Sequence, residues 1–164
     1  MPIQAIYGDL LIIMDINSYV TGFVDGEGCF QISFSYRKKM KFGIEVRPSF
    51  SVSQHKRNKD IILFLHKFFE CGGVRFSKRD QNYKYEVRST KELIKKVIPH
   101  FKEYPLQTDK KEQFERFAEI CEIIHSNHHL NREGLERIIK LSDKVNITGN
   151  KKINRKDLLR VVAR

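Results

Sequence analysis

Residues 18–30 read SYVTGFVDGEGCF. Apolar Tyr19, Val20, Phe23 and Val24 recur at helical spacing behind Ser18, a candidate N-cap. Two acids, Asp25 and Glu27, then alternate with Gly26 and Gly28. Glycine is the usual residue just past a helix end, so the helix is expected to stop near Gly26 or Gly28. Gly22 and Gly26 stand four apart and share one face, which lets a second helix approach closely. The acids have two readings. One is a glycine-capped helix end with solvated carboxylates. The other is a hard-oxygen site for a divalent cation such as Mg²⁺, its shell completed by phosphate oxygens, waters and a second carboxylate.

Strict alternation follows. Phe30, Ile32, Phe34 and Tyr36 fall on one parity and Cys29, Gln31, Ser33, Ser35 and Arg37 on the other, as in a half-buried strand. The basic tip RKKMKFG turns the chain into a second strand. There Ile44, Val46, Phe50 and Val52 oppose Glu45, Arg47, Ser49, Ser51 and Ser53, and Pro48 predicts a bulge or an edge position. NKDIILFLHKFFE has helical spacing and ends at CGG. Around the turn KRDQN, a second hairpin sets Val74, Phe76, Tyr83, Tyr85 and Val87 against Arg75, Ser77, Lys84, Glu86 and Arg88. TKELIKKVIPH reads as a helix stopped at Pro99. DKKEQFERFAEICEIIH, NREGLERIIKLSDKV and NRKDLLRVVAR read as three more. This order predicts an α+β domain, with helices covering the apolar face of one four-stranded antiparallel sheet.

A chain of 164 residues, 40% hydrophobic and 31% charged, suits one soluble domain with a packed core. Residues 1–16 carry LLIIM between Asp9 and Asp15, too short to span a bilayer and without the basic start of a secretory signal. They are set apart as an extension of unread role, and no membrane partner is expected. Residues 17–164 read as the domain, with a core over about 17–125 and a basic helical part over about 130–164. The net charge of +11 points to a polyanion, because released counterions favour binding to nucleic acid. Three scattered cysteines without a CxxC suit a reducing compartment, either a bacterial cytoplasm or an organelle. Cys121 with His125, His128 and His129 fits no common zinc module. The polar parity presents Gln31, Ser33, Ser35, Arg37, Arg47, Ser49, Ser51, Arg75, Ser77, Lys84, Glu86 and Arg88. These are donors and acceptors of the kind that read base edges when a β-ribbon lies in the major groove. An ordinary solvated sheet has a similar composition, and the net charge favours DNA.

The stretch SYVTGFVDGEGCF resembles the signature helix of the LAGLIDADG homing endonucleases, most closely over Val20–Gly28. The alternating strand, FSVSQHKRNKDIILFL and YPLQTDKKEQFERF follow in the family's order, so the resemblance spans about residues 17–125. It implies the αββαββα fold, whose sheet forms a saddle over DNA. One motif in a chain one unit long implies a homodimer, with Gly22, Phe23 and Gly26 at its interface and a roughly palindromic target. By resemblance Glu27 is the Mg²⁺ ligand, helped by the Gly26 carbonyl, although aspartate is common there in homodimeric relatives. Gln54 falls on a water-ordering position, Lys56 or Arg57 on the same water network, and Lys110 or Lys111 on the family's lysine. Lys140, Lys144, Lys151, Lys152, Arg155 and Lys156 are candidate phosphate contacts. The implied activity is Mg²⁺-dependent, site-specific cleavage of double-stranded DNA, promoting intron mobility. Two alternatives remain: a maturase whose partner is intron RNA, and a DNA-binding regulator without cleavage. The target sequence, host gene and organism are not legible.

Overall fold

The computed structural model describes residues 4–7, 10–13, 15–145 and 153–163. Strands β1 (Gln4–Tyr7) and β2 (Leu10–Ile13) pair antiparallel, Gln4 opposite Ile13, in a two-stranded sheet separate from the main one. Sequence patterning shows only one apolar run there.

Helix α1 spans Ile16–Glu27. Its cap is Asp15 rather than Ser18. The Asp15 carboxylate accepts from the Asn17 and Ser18 amides at 3.1 and 3.2 Å. A carboxylate also opposes the positive end of the helix dipole, so it outcompetes a hydroxyl placed inside the first turn. The helix stops at Glu27, and Gly28 follows in extended conformation with φ −75°. Glycine is needed there for space and not for a left-handed turn. A Cβ on Gly28 would lie 2.5 Å from Val24 Cγ1 and 2.7 Å from the Val24 carbonyl oxygen.

The main sheet has the order β3-β4-β6-β5, all neighbours antiparallel. Its strands are β3 (Gly28–Tyr36), β4 (Ile44–His55), β5 (Gly73–Ser77) and β6 (Asn82–Val87). β4 keeps one parity throughout. Pro48 pairs with Ile32 without a bulge, and β6 joins only from Phe50 onward. At Pro48 the strand therefore has an open side, which is what a residue lacking an N–H requires.

Helix α2 (Lys59–Phe69) ends before the glycines. Glu70 takes the left-handed turn at φ 51°, and Gly72 repeats it at φ 72°, where a Cβ would meet the Glu86 carbonyl oxygen at 2.5 Å. After α3 (Thr90–Glu92) the chain widens into a π-turn over Leu93–Val97 and continues as α4 (Ile98–Glu103). The helix is thus not stopped at Pro99. The Ile98 N–H reaches back to Leu93, and this wider turn accommodates a proline ring that would clash in a regular α-helix. Helices α5 (Lys110–His125), α6 (Arg132–Val145) and α7 (Arg155–Val162) complete the body.

The helix-facing parity forms the core. The ring of Phe30 lies 5.2 Å from Phe50, 5.7 Å from Phe101, 5.4 Å from Phe114 and 5.2 Å from Phe117. Offset and edge-on rings at these spacings add to the burial gain. A second cluster of Ile44, Leu135, Ile139, Leu158 and Val162 fixes α6 and α7 under the far half of the β3–β4 hairpin.

Two expectations fail here. Phe76, on the apolar parity, is 40% exposed, because β5 is an edge strand, and its ring packs tilted against Tyr83 at 4.8 Å. Arg155 is not a surface phosphate contact. It is 9% exposed, donates to Ser142 Oγ at 3.0 Å, lies 3.7 Å from Asp143 and covers the Phe34 ring at 4.8 Å. Lys151 and Lys152 lie outside the described residues.

Candidate active site and nucleic-acid interface

The two acids at the end of α1 part company. Asp25 turns toward the chain before α5. It accepts from the Gln107 amide at 2.8 Å, the Thr108 amide at 3.2 Å and the Thr108 hydroxyl at 2.7 Å. Burial works against its charge, yet these bonds and nearby Lys110 win and hold the carboxyl below its usual range. Asp25 is therefore an anchor between elements. Sequence pattern gives no signal for it, since its partners lie more than 80 residues away.

That anchor places Lys110, the first residue of α5. Its Nζ donates to the carbonyl oxygens of Val24 at 3.1 Å and Gly26 at 3.3 Å. Burial lowers its pKa, and the charges of Asp25, Cys29, Asp109 and Glu27 partly offset this. The ammonium sits on the negative end of the α1 dipole, so this helix end already draws a cation. Lys111, one residue on, faces away and borders a cleft with Pro105, Phe114 and Glu115.

The Glu27 side chain is exposed and makes no hydrogen bond or ion pair among the described residues, though its charge reaches Lys110. No three His, Cys, Asp or Glu residues converge on a metal position among the described residues, the Cys121–His129 region included. One chain thus offers the Glu27 carboxylate and the Gly26 carbonyl, both hard oxygen donors that fit a divalent cation sharing its shell with phosphate and water. Gln54 lies two residues beyond Val52, the partner of Gly28, so it projects about 7 Å past the α1–β3 junction. It is on the helix-facing parity, and its Oε1 accepts from Asn58 at 3.2 Å. Lys56 turns instead to Gln81, at 2.9 Å. Lys110 is thus held at Gly26 beside Glu27, Gln54 follows the partner of Gly28 by two residues, and Lys111 is not brought to this group.

On the same helix, Gly22 and Gly26 are exposed, and a Cβ added at either would meet nothing within 4 Å. Ser18 and Tyr19 continue this uncovered strip. Phe23 is half-buried and packs against the core.

The polar parity of the sheet forms an open face in rows. Ser33 pairs with Arg47, Gln31 with Ser49, and Arg75 with Lys84. Arg37 donates to Glu45 at 2.6 Å, and Arg47 donates to Ser35 Oγ at 3.0 Å. Glu45 belongs with this face, although it falls outside the expected contact set. Glu86 lies between Lys84 at 2.8 Å and Arg88 at 2.9 Å. Ser77 hydrogen-bonds Asp80 at 3.2 Å. Ser51 departs from expectation. It is only 7% exposed, because its row sets it between Cys29 and Glu86 in the middle of the sheet.

Residues 20–121 match the LAGLIDADG endonuclease family model. The "Probable intron-encoded endonuclease 3" of Neurospora crassa is 28% identical over 134 residues, 80% of this chain and 25% of its own length. The chain thus spans about a quarter of that curated relative. The homing endonuclease I-TnaI is 38% identical with a TM-score of 0.78, over 92% of this chain and 98% of its own. I-SmaMI, bound to an uncleaved DNA target in the presence of calcium ions, is 27% identical with a TM-score of 0.82, over 90% of this chain and 49% of its own. No helix among the described residues is long and apolar enough to cross a membrane. With its motif helix, its four-stranded antiparallel sheet and its helical cover, this chain belongs to the LAGLIDADG endonuclease family.

Proposed function

We propose that two copies of this chain form a Mg²⁺-dependent homing endonuclease that cuts both strands of a long, roughly palindromic DNA target and promotes intron mobility. The observation that carries this reading is the end of α1. An unpaired carboxylate, Glu27, stands beside carbonyls that already hold an ammonium group, on the helix whose glycine strip is bare. Covering that strip with its own copy would bring two such helix ends together. The bare glycine strip on α1 supports a second copy as its cover. DNA as substrate is supported by I-SmaMI, and intron mobility by the Neurospora crassa relative. Residues 17–164 act as the endonuclease unit, and residues 1–16 are an extension to it.

In this reading Glu27 and the Gly26 carbonyl would hold Mg²⁺, which would supply Lewis-acid chemistry at the scissile phosphate. Glu27 fixes the position of that charge at the helix end. Lys110 shares the Gly26 carbonyl and places a second positive charge where negative charge develops on the phosphate. Gln54 and Asn58, bonded to each other, orient water at the rim. The open sheet face, with Arg37, Arg47, Arg75, Lys84 and Arg88, lies along the duplex.

The test is Glu27→Gln in the full chain. Cleavage of duplex DNA is lost while binding stays within about threefold, and both proteins sediment as dimers at micromolar concentration. A variant that still cuts removes Glu27 from the site. A monomer removes the glycine strip from the interface.

A further inference from the structure

Glu86 is a carboxylate in the middle of a face that the proposed function lays against phosphate. Its row runs Cys29–Ser51–Glu86–Gly73 across all four strands, and Cys29 is two residues from Glu27. The Glu86 side chain keeps 13% exposure. Three cations surround it: Lys84 at 2.8 Å, Arg88 at 2.9 Å and Arg75 at 4.0 Å from the neighbouring strand. Arg75 and Lys84 are direct cross-strand partners, a like-charge pair that would otherwise repel. Glu86 relieves that repulsion, and its carboxyl stays ionised. Burial opposes the charge, but the Lys84 hydrogen bond and the three cations together hold its pKa below the usual range.

The short pair with Lys84, whose side chain is 26% exposed, accounts for stability, but the links to the two arginines are not explained that way. Arg75 and Arg88 are 63% and 65% exposed at the side chain, where ion pairs contribute little to stability. For raw affinity the carboxylate is a liability, because it repels phosphate and cancels a positive charge. What it supplies is orientation. Free lysine and arginine side chains swing onto the nearest phosphate of any duplex. Tied to one carboxylate, they keep a fixed pattern of donors, and specificity then includes a repulsive element.

We propose that Glu86 is a specificity-determining positioning residue, which holds Lys84, Arg88 and Arg75 in one array on the sheet and keeps them from indiscriminate phosphate contact. The proposal rests on the DNA-binding reading above. Its test is Glu86→Gln, which keeps shape and removes charge, with Glu86→Asp alongside. The probes are a duplex recovered by binding selection with the wild-type protein and a random duplex of equal length, each titrated over a range of salt.

Glu86→Gln binds the random duplex more tightly, and the ratio of selected to random affinity falls about tenfold. Its salt slope on random DNA steepens by about 0.9 for each phosphate newly contacted. Glu86→Asp recovers most of the ratio. Parallel loss of both affinities with an unchanged slope and a lower melting temperature would make Glu86 merely structural and overturn the proposal. So would a Glu86→Gln variant indistinguishable from wild type. Failure of the wild type to bind any duplex overturns the DNA reading and this proposal with it, whereas normal wild-type selectivity with an unresponsive variant overturns this proposal alone.

Discussion

Asp25→Asn tests how the end of α1 is joined to the start of α5. The Asp25 carboxylate accepts three bonds, from the Gln107 amide, the Thr108 amide and the Thr108 hydroxyl. Hydrogen bonds to a charged group each contribute about 1.5–3 kcal/mol, against about 1 for neutral ones. Asparagine keeps one acceptor oxygen and turns its NH₂ toward donors, so at least one bond is lost and the others weaken. The site is partly open to water, which favours the low end, and the net cost is about 2 kcal/mol. For a domain of this size that lowers Tm by about 4–8 °C. The sign with pH follows from the depressed carboxyl. Its stabilisation is complete above the ordinary value of 3.8 and is lost as pH falls further, through the folded-state value. The deficit of the asparagine variant should therefore be full at pH 7 and smaller at pH 2.5, read by thermal unfolding at both. A variant within 1 °C of wild type at pH 7, or a deficit independent of pH, would refute the reasoning.

Three further outcomes are expected. Gly28→Ala places a Cβ 2.7 Å from the Val24 carbonyl oxygen and costs about 1–3 kcal/mol, measured by denaturant unfolding; a neutral change would show that the α1–β3 junction relaxes freely. Lys110→Met reduces duplex cleavage at least tenfold, whereas Lys111→Met leaves it within about threefold, and the reverse ranking would contradict the placement on the Gly26 carbonyl. His100 is packed among Phe68, Phe69 and Phe101, and burial pushes its pKa down to about 4, with Asp15 pulling weakly the other way. Its neutral form stabilises fully above pH 6.5, and that stability is lost as pH falls from 6.5 toward 4, by at most about 1.4 kcal/mol per unit. His100→Gln should flatten that slope, and an unaltered pH profile would contradict it.

What could be read from sequence is what depends on near neighbours. Alternation from Phe30 to Tyr36 fixes both the strand and its polar face, because side-chain direction has a period of two. Apolar spacing gives α2, α5 and α6 for the same local reason. What escapes the sequence depends on packing. Lys110 and Lys111 differ by one residue and about 100° of helix rotation, and only the Asp25 anchor decides which meets α1. Arg155 has the composition of a surface contact and is captured instead by Phe34 and Ser142. Pro99 departs from the general rule for helix breakers, because a π-turn absorbs it. Asp25 and Glu27 carry the same charge two residues apart. One anchors a distant loop and the other is left free, a division visible only once Thr108 is in place.

The most direct test of the central claim is a cleavage selection. The purified chain meets a random duplex library with Mg²⁺, and Glu27→Gln is run in parallel. A homodimeric nuclease built on Glu27 recovers a near-palindromic site cut on both strands, and the variant recovers none. Binding without cleavage by the wild type, or cleavage of the same site by the variant, would contradict it.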